Sequence, residues 1–142
     1  MSAKIYLGAD HAGFEMKEAI KEFLLSKNYQ VEDLGTHSAD SVDYPDFAHG
    51  VASKVEEQEE RVGFLFCGSA NGVCITANKH KGIRAGLAWN TEIAELTRQH
   101  NNANILCIPA RYVSIDLAEN MVKRFLSTSF EGGRHQLRVN KI

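Results

Sequence analysis

The stretch RVGFLFCGSANGVCITANK, residues 61–79, decides the fold. Residues 61–67 form a continuous apolar run, as expected of a strand buried on both faces. A glycine-rich turn follows at once, and residues 72–79 then read as a short helix. A strand that passes through such a turn into a helix is half of a βαβ unit, so the rest of the chain should repeat that alternation.

It does. KIYLGAD (4–10) reads as a strand and its exit loop, and residues 14–27 place Met16, Ile20, Phe23 and Leu24 on one helical face. YQVEDLG (29–35) is a second strand, closed by Gly35. A polar loop follows, and Pro45 fits the first turn of a helix running through Glu57. GIRAGLAW (82–89) is the fourth strand, and residues 91–100 form a helix with Thr91 as its cap. ANILCIP (103–109) is the fifth strand. Residues 114–126 put Ile115, Ala118, Val122, Phe125 and Leu126 on one face behind Ser114. Five strands alternating with five helices predict an α/β fold with a parallel sheet between two helical layers.

Composition narrows the function. The chain has 142 residues and a net charge of −2, which suits one domain and carries no footprint for nucleic acid or an anionic membrane. No apolar run has the length of a membrane span, and MSAKIYLGAD lacks the features of a signal peptide, so the expected address is cytoplasmic. The three cysteines, Cys67, Cys74 and Cys107, form no C-x-x-C pair, which argues against a disulfide framework or a structural zinc site.

In an open α/β sheet, ligands bind beyond the carboxyl ends of the strands. Asp10 and His11 follow the first strand there, Cys67 to Gly72 the third, Trp89 and Asn90 the fourth, and Pro109, Ala110 and Arg111 the fifth. In CGSANG the glycines let a ligand approach the backbone, and the N–H groups at the helix start favour an anion. The same field is expected to lower the Cys67 thiol, making it partly thiolate near neutral pH. One element then supplies a base and a cradle for a developing oxyanion. The turn is neither G-x-x-x-x-G-K-[ST] nor G-x-G-x-x-G, so nucleotide readings lose support. The plainer alternative is that Cys67 only fills the end of a buried strand.

Asp10 is placed to orient an imidazole or bind a sugar hydroxyl. His100 sits where a helix C-terminus favours histidine for dipole reasons alone, and Asn101 or Asn102 suits that helix end. His37, His49, His80 and His135 read as surface residues. Arg134 and Arg138 stand four apart, so a helical tail would put them on one face, where with Arg111 they could grip a phosphate.

Taken together, GADHAGFEMK, DYPD, FCGSANGVCITANK, GIRAG, RQHNNANIL and FEGGRHQLRV, in that order, resemble the type B ribose-5-phosphate isomerases and the related galactose-6-phosphate and allose-6-phosphate isomerases. The resemblance spans nearly the whole chain. It implies a Rossmann-like α/β/α sandwich with a five-stranded parallel sheet and a homodimer or dimer of dimers, with no metal or organic cofactor. The substrate it implies is a small sugar phosphate. By this resemblance Cys67 moves a proton between C1 and C2 of the open-chain sugar, and Ser69 with the amides of Gly68, Ala70, Asn71 and Gly72 stabilises a cis-enediolate. His100 assists ring opening. Asp10, His11 and Asn101 bind sugar oxygens or help that step. Arg111, Arg134 and Arg138 bind the phosphate, some from the partner chain, and the tail 129–142 packs on that partner.

Two positions depart from the family. Ala70 stands where relatives often carry glycine, and its methyl is expected to narrow the approach to the amides. Val73 stands where some relatives place a glutamate base, which puts this chain in the cysteine group. Valine at 73 also removes the arginine that a cysteine-dependent phosphatase needs six residues after its thiol. A hexose-phosphate isomerase, one subunit of a hetero-oligomeric isomerase and a non-catalytic sugar-phosphate-binding module stay open as alternatives.

Overall fold

The computed structural model describes residues 4–142. The strands are β1 (Ile5–Ala9), β2 (Val31–Asp33), β3 (Val62–Cys67), β4 (Ala85–Leu87) and β5 (Ile105–Pro109). The helices are α1 (Phe14–Ser26), α2 (Tyr44–Val55), α3 (Asn71–Ala77), α4 (Thr91–Asn101), α5 (Ile115–Ser127) and α6 (Arg134–Val139). All strand pairs are parallel, in the order β2-β1-β3-β5-β4.

Side-chain alternation along the strands builds two cores. Ile5, Leu7, Phe64, Phe66, Leu106 and Ile108 face α1, α4 and α5. Tyr6, Leu65, Cys67, Ile105 and Cys107 face α2 and α3. The sheet is therefore the middle layer of an α/β/α sandwich. The three inner strands are buried almost throughout, whereas β2 and β4 are three-residue edges, shorter than the sequence runs that contain them. Edge strands lack a second neighbour, and short ones present few unpaired backbone groups.

Local chemistry sets most helix boundaries. Pro45 lies in the first turn of α2, as expected, and Ser114 Oγ accepts the Leu117 N–H at 3.1 Å. The cap of α4 is Asn90, whose side chain accepts from the Ile93 N–H, and not Thr91. Asn102 ends α4 in the left-handed conformation. On α5, Met121 takes the buried place expected for Ile115, which stays 42% exposed. The sixth helix, α6, follows Gly132 (φ 69°) and Gly133 (φ 56°), both in a backbone region that suits glycine.

Gly13 lets α1 start hard against β3, since a Cβ there would lie 2.2 Å from the Phe66 carbonyl oxygen. α1 is then tied to β2. The Nζ of Lys17, a fully buried side chain, donates to Asp33 Oδ2 at 2.6 Å, and Lys21 donates to the same oxygen at 3.0 Å. Burial works to raise the Asp33 carboxyl, but Lys17, the Gly35 N–H and Lys21 overcome it and hold the group at about 2. No helix among the described residues is long and apolar enough to cross a membrane.

Candidate active site

The chain reverses its direction across the sheet at β1, with β2 on one side and β3 on the other. The crevice at their carboxyl ends is the expected place for a ligand. There the Cys67 Sγ donates to Asp10 Oδ2 at 3.1 Å. Asp10 is itself fixed, because its Oδ1 accepts the N–H groups of Ala12 (3.0 Å) and Gly13 (3.1 Å). The carboxylate thus faces the thiol, and the neighbouring His11 is held through its Nδ1, which accepts the Val42 N–H at 3.3 Å. The sequence placed Asp10 beside an imidazole or a sugar hydroxyl; within the chain its side-chain partner is the thiol.

Burial and this neighbour together overturn the expected thiolate. Burial and the Asp10 carboxylate push the Cys67 thiol up to about 11, against an opposite pull from the N–H groups of Gly68 and Ala70. The amides of the turn act in the anticipated direction, but burial and a fixed negative charge outweigh them.

Beyond Cys67 the turn is shaped by contact. Ala70 adopts φ 64° and ψ 3° at the start of α3, and no side chain caps that helix. Its methyl is fully buried among Cys67, Val73 and the α2 side chains. It therefore points into the core and does not narrow the approach to the amides. Ser69 and Asn71 are exposed, and Ser69 Oγ accepts from the Asn71 N–H at 3.4 Å. Gly72 leaves room for the Tyr44 ring, since a Cβ there would lie 2.3 Å from ring carbons. Tyr44 was not among the expected site residues; its only signal was its place in DYPD. Arg111 closes the other side. Its backbone N–H donates to the Gly68 carbonyl at 3.1 Å, and its guanidinium lies over Gly68.

The remaining candidates lie elsewhere. α4 starts beyond the carboxyl end of β4 and returns along the sheet, so His100 and Asn101 in its last turn stand at the amino edge, where β5 begins. α5 returns likewise and delivers the tail to that edge, where α6 packs on α4. Arg134, Arg138, His100 and Asn101 are therefore one group, and a cavity of about 360 Å³ is lined by His100, Asn101, His135 and Arg138. Within one chain, Arg111 and the Arg134–Arg138 pair cannot grip one phosphate, because they stand at opposite edges of the sheet.

His135 is not a surface residue. It is 9% exposed and its ring stacks on His100, with centroids 4.3 Å apart and planes at 12°. His100, Glu131 and His135 bring ligand atoms within 4.8 Å of one another, the one such trio among the described residues.

The profile of the Ribose/Galactose Isomerase family matches residues 5–142. The chain belongs to this family. Ribose-5-phosphate isomerase B of Escherichia coli is 42% identical, over 98% of this chain and 93% of that protein. The crystal structure of a ribose 5-phosphate isomerase from Thermotoga maritima matches with 48% identity and a TM-score of 0.96, covering 99% of this chain and 97% of that one. Ribose-5-phosphate isomerase B from Mycoplasma genitalium, solved with bound ribulose-5-phosphate, is 45% identical with a TM-score of 0.96, over 99% and 94% of the two chains. The sheet and helical layers read from the sequence are those of the Ribose/Galactose Isomerase fold.

Proposed function

We propose that this chain interconverts D-ribose 5-phosphate and D-ribulose 5-phosphate through a cis-enediolate. One observation carries the reading: in a member of this family, a thiol donates to a fixed carboxylate at the lip of an uncapped, amide-rich turn. The relative solved with ribulose-5-phosphate supports the choice of a pentose phosphate.

The thiol carries its own proton at neutral pH, so Asp10 must take part in the transfer. As substrate arrives, Asp10 Oδ2 accepts the thiol proton and the Cys67 sulfur removes the proton from C2. Negative charge develops on the carbonyl oxygen at C1, facing Ser69 and the amides of Gly68, Ala70, Asn71 and Gly72. The hydroxyl proton on C2 passes to the C1 oxygen as C2=O forms, the sulfur delivers its proton to C1, and Asp10 gives the other back to the thiol. Arg111 and His11 hold polar groups of the substrate at this edge.

His100 and Asn101, which serve ring opening and sugar binding, and Arg134 and Arg138, which serve the phosphate, stand at the far edge of the same chain. We infer that they complete the site of a second copy, with the tail 129–142 packed on it. The whole chain is then one cytoplasmic isomerase domain working as a homodimer or a dimer of dimers.

Purified chain incubated with ribose 5-phosphate in the presence of a chelator should form ribulose 5-phosphate, with allose 6-phosphate and galactose 6-phosphate run alongside. Turnover of a hexose phosphate alone would move the substrate. Saturable binding without turnover of any of the three would refute the isomerase.

A further inference from the structure

The structure assigns Glu131 and His135 as positioning residues for His100, holding its ring for proton transfer at the furanose ring oxygen. This inference rests on the ring-opening role proposed for His100. In that step the anomeric hydroxyl loses its proton, C1=O forms, the bond from C1 to the ring oxygen breaks, and the ring oxygen gains a proton. A ring that delivers or takes a proton must be aimed, and a misplacement of about 1 Å can cost about a hundredfold in rate.

His100 lacks the usual means of aiming. It sits half-buried in the last turn of α4, and among the described residues its ring makes no hydrogen bond. Two neighbours lie against it instead. The His135 ring covers one face at a centroid distance of 4.3 Å. Glu131 Oε1 lies 4.0 Å from His100 Nε2 and 3.4 Å from His135 Nε2, so one carboxylate oxygen stands near both rings.

Both supports are anchored. The Glu131 N–H donates to the carbonyl of Gln99 at 3.1 Å, pinning the tail to the residue before His100. The left-handed Gly132 and Gly133 then turn the chain back, and the His135 N–H donates to the Gly132 carbonyl at 3.1 Å. Burial and the charges of His100, Arg134 and Arg138 hold the His135 ring below its ordinary pKa, against the pull of Glu131. The same turn that brings Arg138 to the cavity thus carries the support for His100.

The test compares wild type, His100→Asn, His135→Ala, His135→Phe and Glu131→Gln on cyclic ribose 5-phosphate, and on ribulose 5-phosphate in the reverse direction. The ketose is open-chain, because its C5 oxygen carries the phosphate. His135→Ala should lower kcat on the aldose about tenfold and leave the reverse rate within about twofold. His135→Phe keeps a flat ring and should recover most of the loss, and Glu131→Gln should lose in the same direction. The His100 Cε1–H proton resonance should move when the stack is removed in His135→Ala and stay near its place in His135→Phe. A selective loss in His100→Asn with none in His135→Ala or Glu131→Gln would overturn the positioning role alone. Equal losses in both directions for His100→Asn would overturn the ring-opening reading and this inference with it.

Discussion

Cys67 shows how far a residue's chemistry can be read from its neighbours in sequence. The turn that follows it was visible in CGSANG, and its amides do pull the thiol down. What the sequence hid is Asp10, which lies 57 residues away and arrives only when β1 and β3 pair. The burial of the strand end, together with that carboxylate, reverses the sign. The proposed mechanism therefore starts from a thiol hydrogen-bonded to a carboxylate, not from a free thiolate. Asp10→Asn removes the opposing charge and leaves the amides, so the Cys67 midpoint should fall from about 11 by roughly one unit or more. The rate of iodoacetamide alkylation against pH, followed on the Cys67 peptide by mass spectrometry, reads that midpoint. A midpoint unchanged or raised in Asp10→Asn would remove the carboxylate as the cause. His135 teaches the same lesson: it reads as polar surface until α6 folds against α4.

At the scale of elements, periodicity located every strand and the first five helices, because each amphipathic pattern reports its own burial. It failed where burial depends on what lies opposite. Thr91 yielded to Asn90 as the cap, and Ile115 yielded to Met121 in the core. It also gave no warning that a lysine would be fully buried. Lys17 is held by Asp33 and Glu18, a link that fastens edge strand β2 to α1. Because Asp33 sits at about 2 in the fold, below its ordinary 3.8, its stabilisation is present above about pH 4 and is lost as pH falls toward 2. Asp33→Asn should therefore destabilise the protein by about 2 kcal/mol at pH 7, and the deficit should shrink toward zero near pH 2. Urea unfolding at pH 7, 4 and 2.5 checks this; a deficit that stays constant across the range would show that Asp33 does not act through its charge.

For the whole molecule, the alternation of strands and helices fixed the layers, but the strand order needed the structure. β5 inserts between β3 and β4, a choice made by packing across the sheet and not by local pattern. The topology also separates the candidate site into two groups. Cys67, Asp10, Ser69 and Arg111 stand at the carboxyl edge, whereas His100, Asn101, Arg134 and Arg138 stand at the amino edge. The proposed function uses both groups, which is why it places each site between two copies of the chain. In the twofold dimer proposed above, each copy would lend its amino-edge group to the other, giving two equivalent composite sites.

The most direct measurement is complementation between two variants. Cys67→Ala breaks the carboxyl-edge group, and the double variant Arg134→Ala, Arg138→Ala breaks the amino-edge group; each should turn over ribose 5-phosphate poorly alone. After mixing, unfolding and refolding together in equal amounts, a mixed dimer holds one site with Cys67 from one copy and both arginines from the other. Random pairing predicts recovery of about a quarter of wild-type activity. No recovery above the sum of the two variants, from mixture shown to contain mixed dimers, would contradict the shared site.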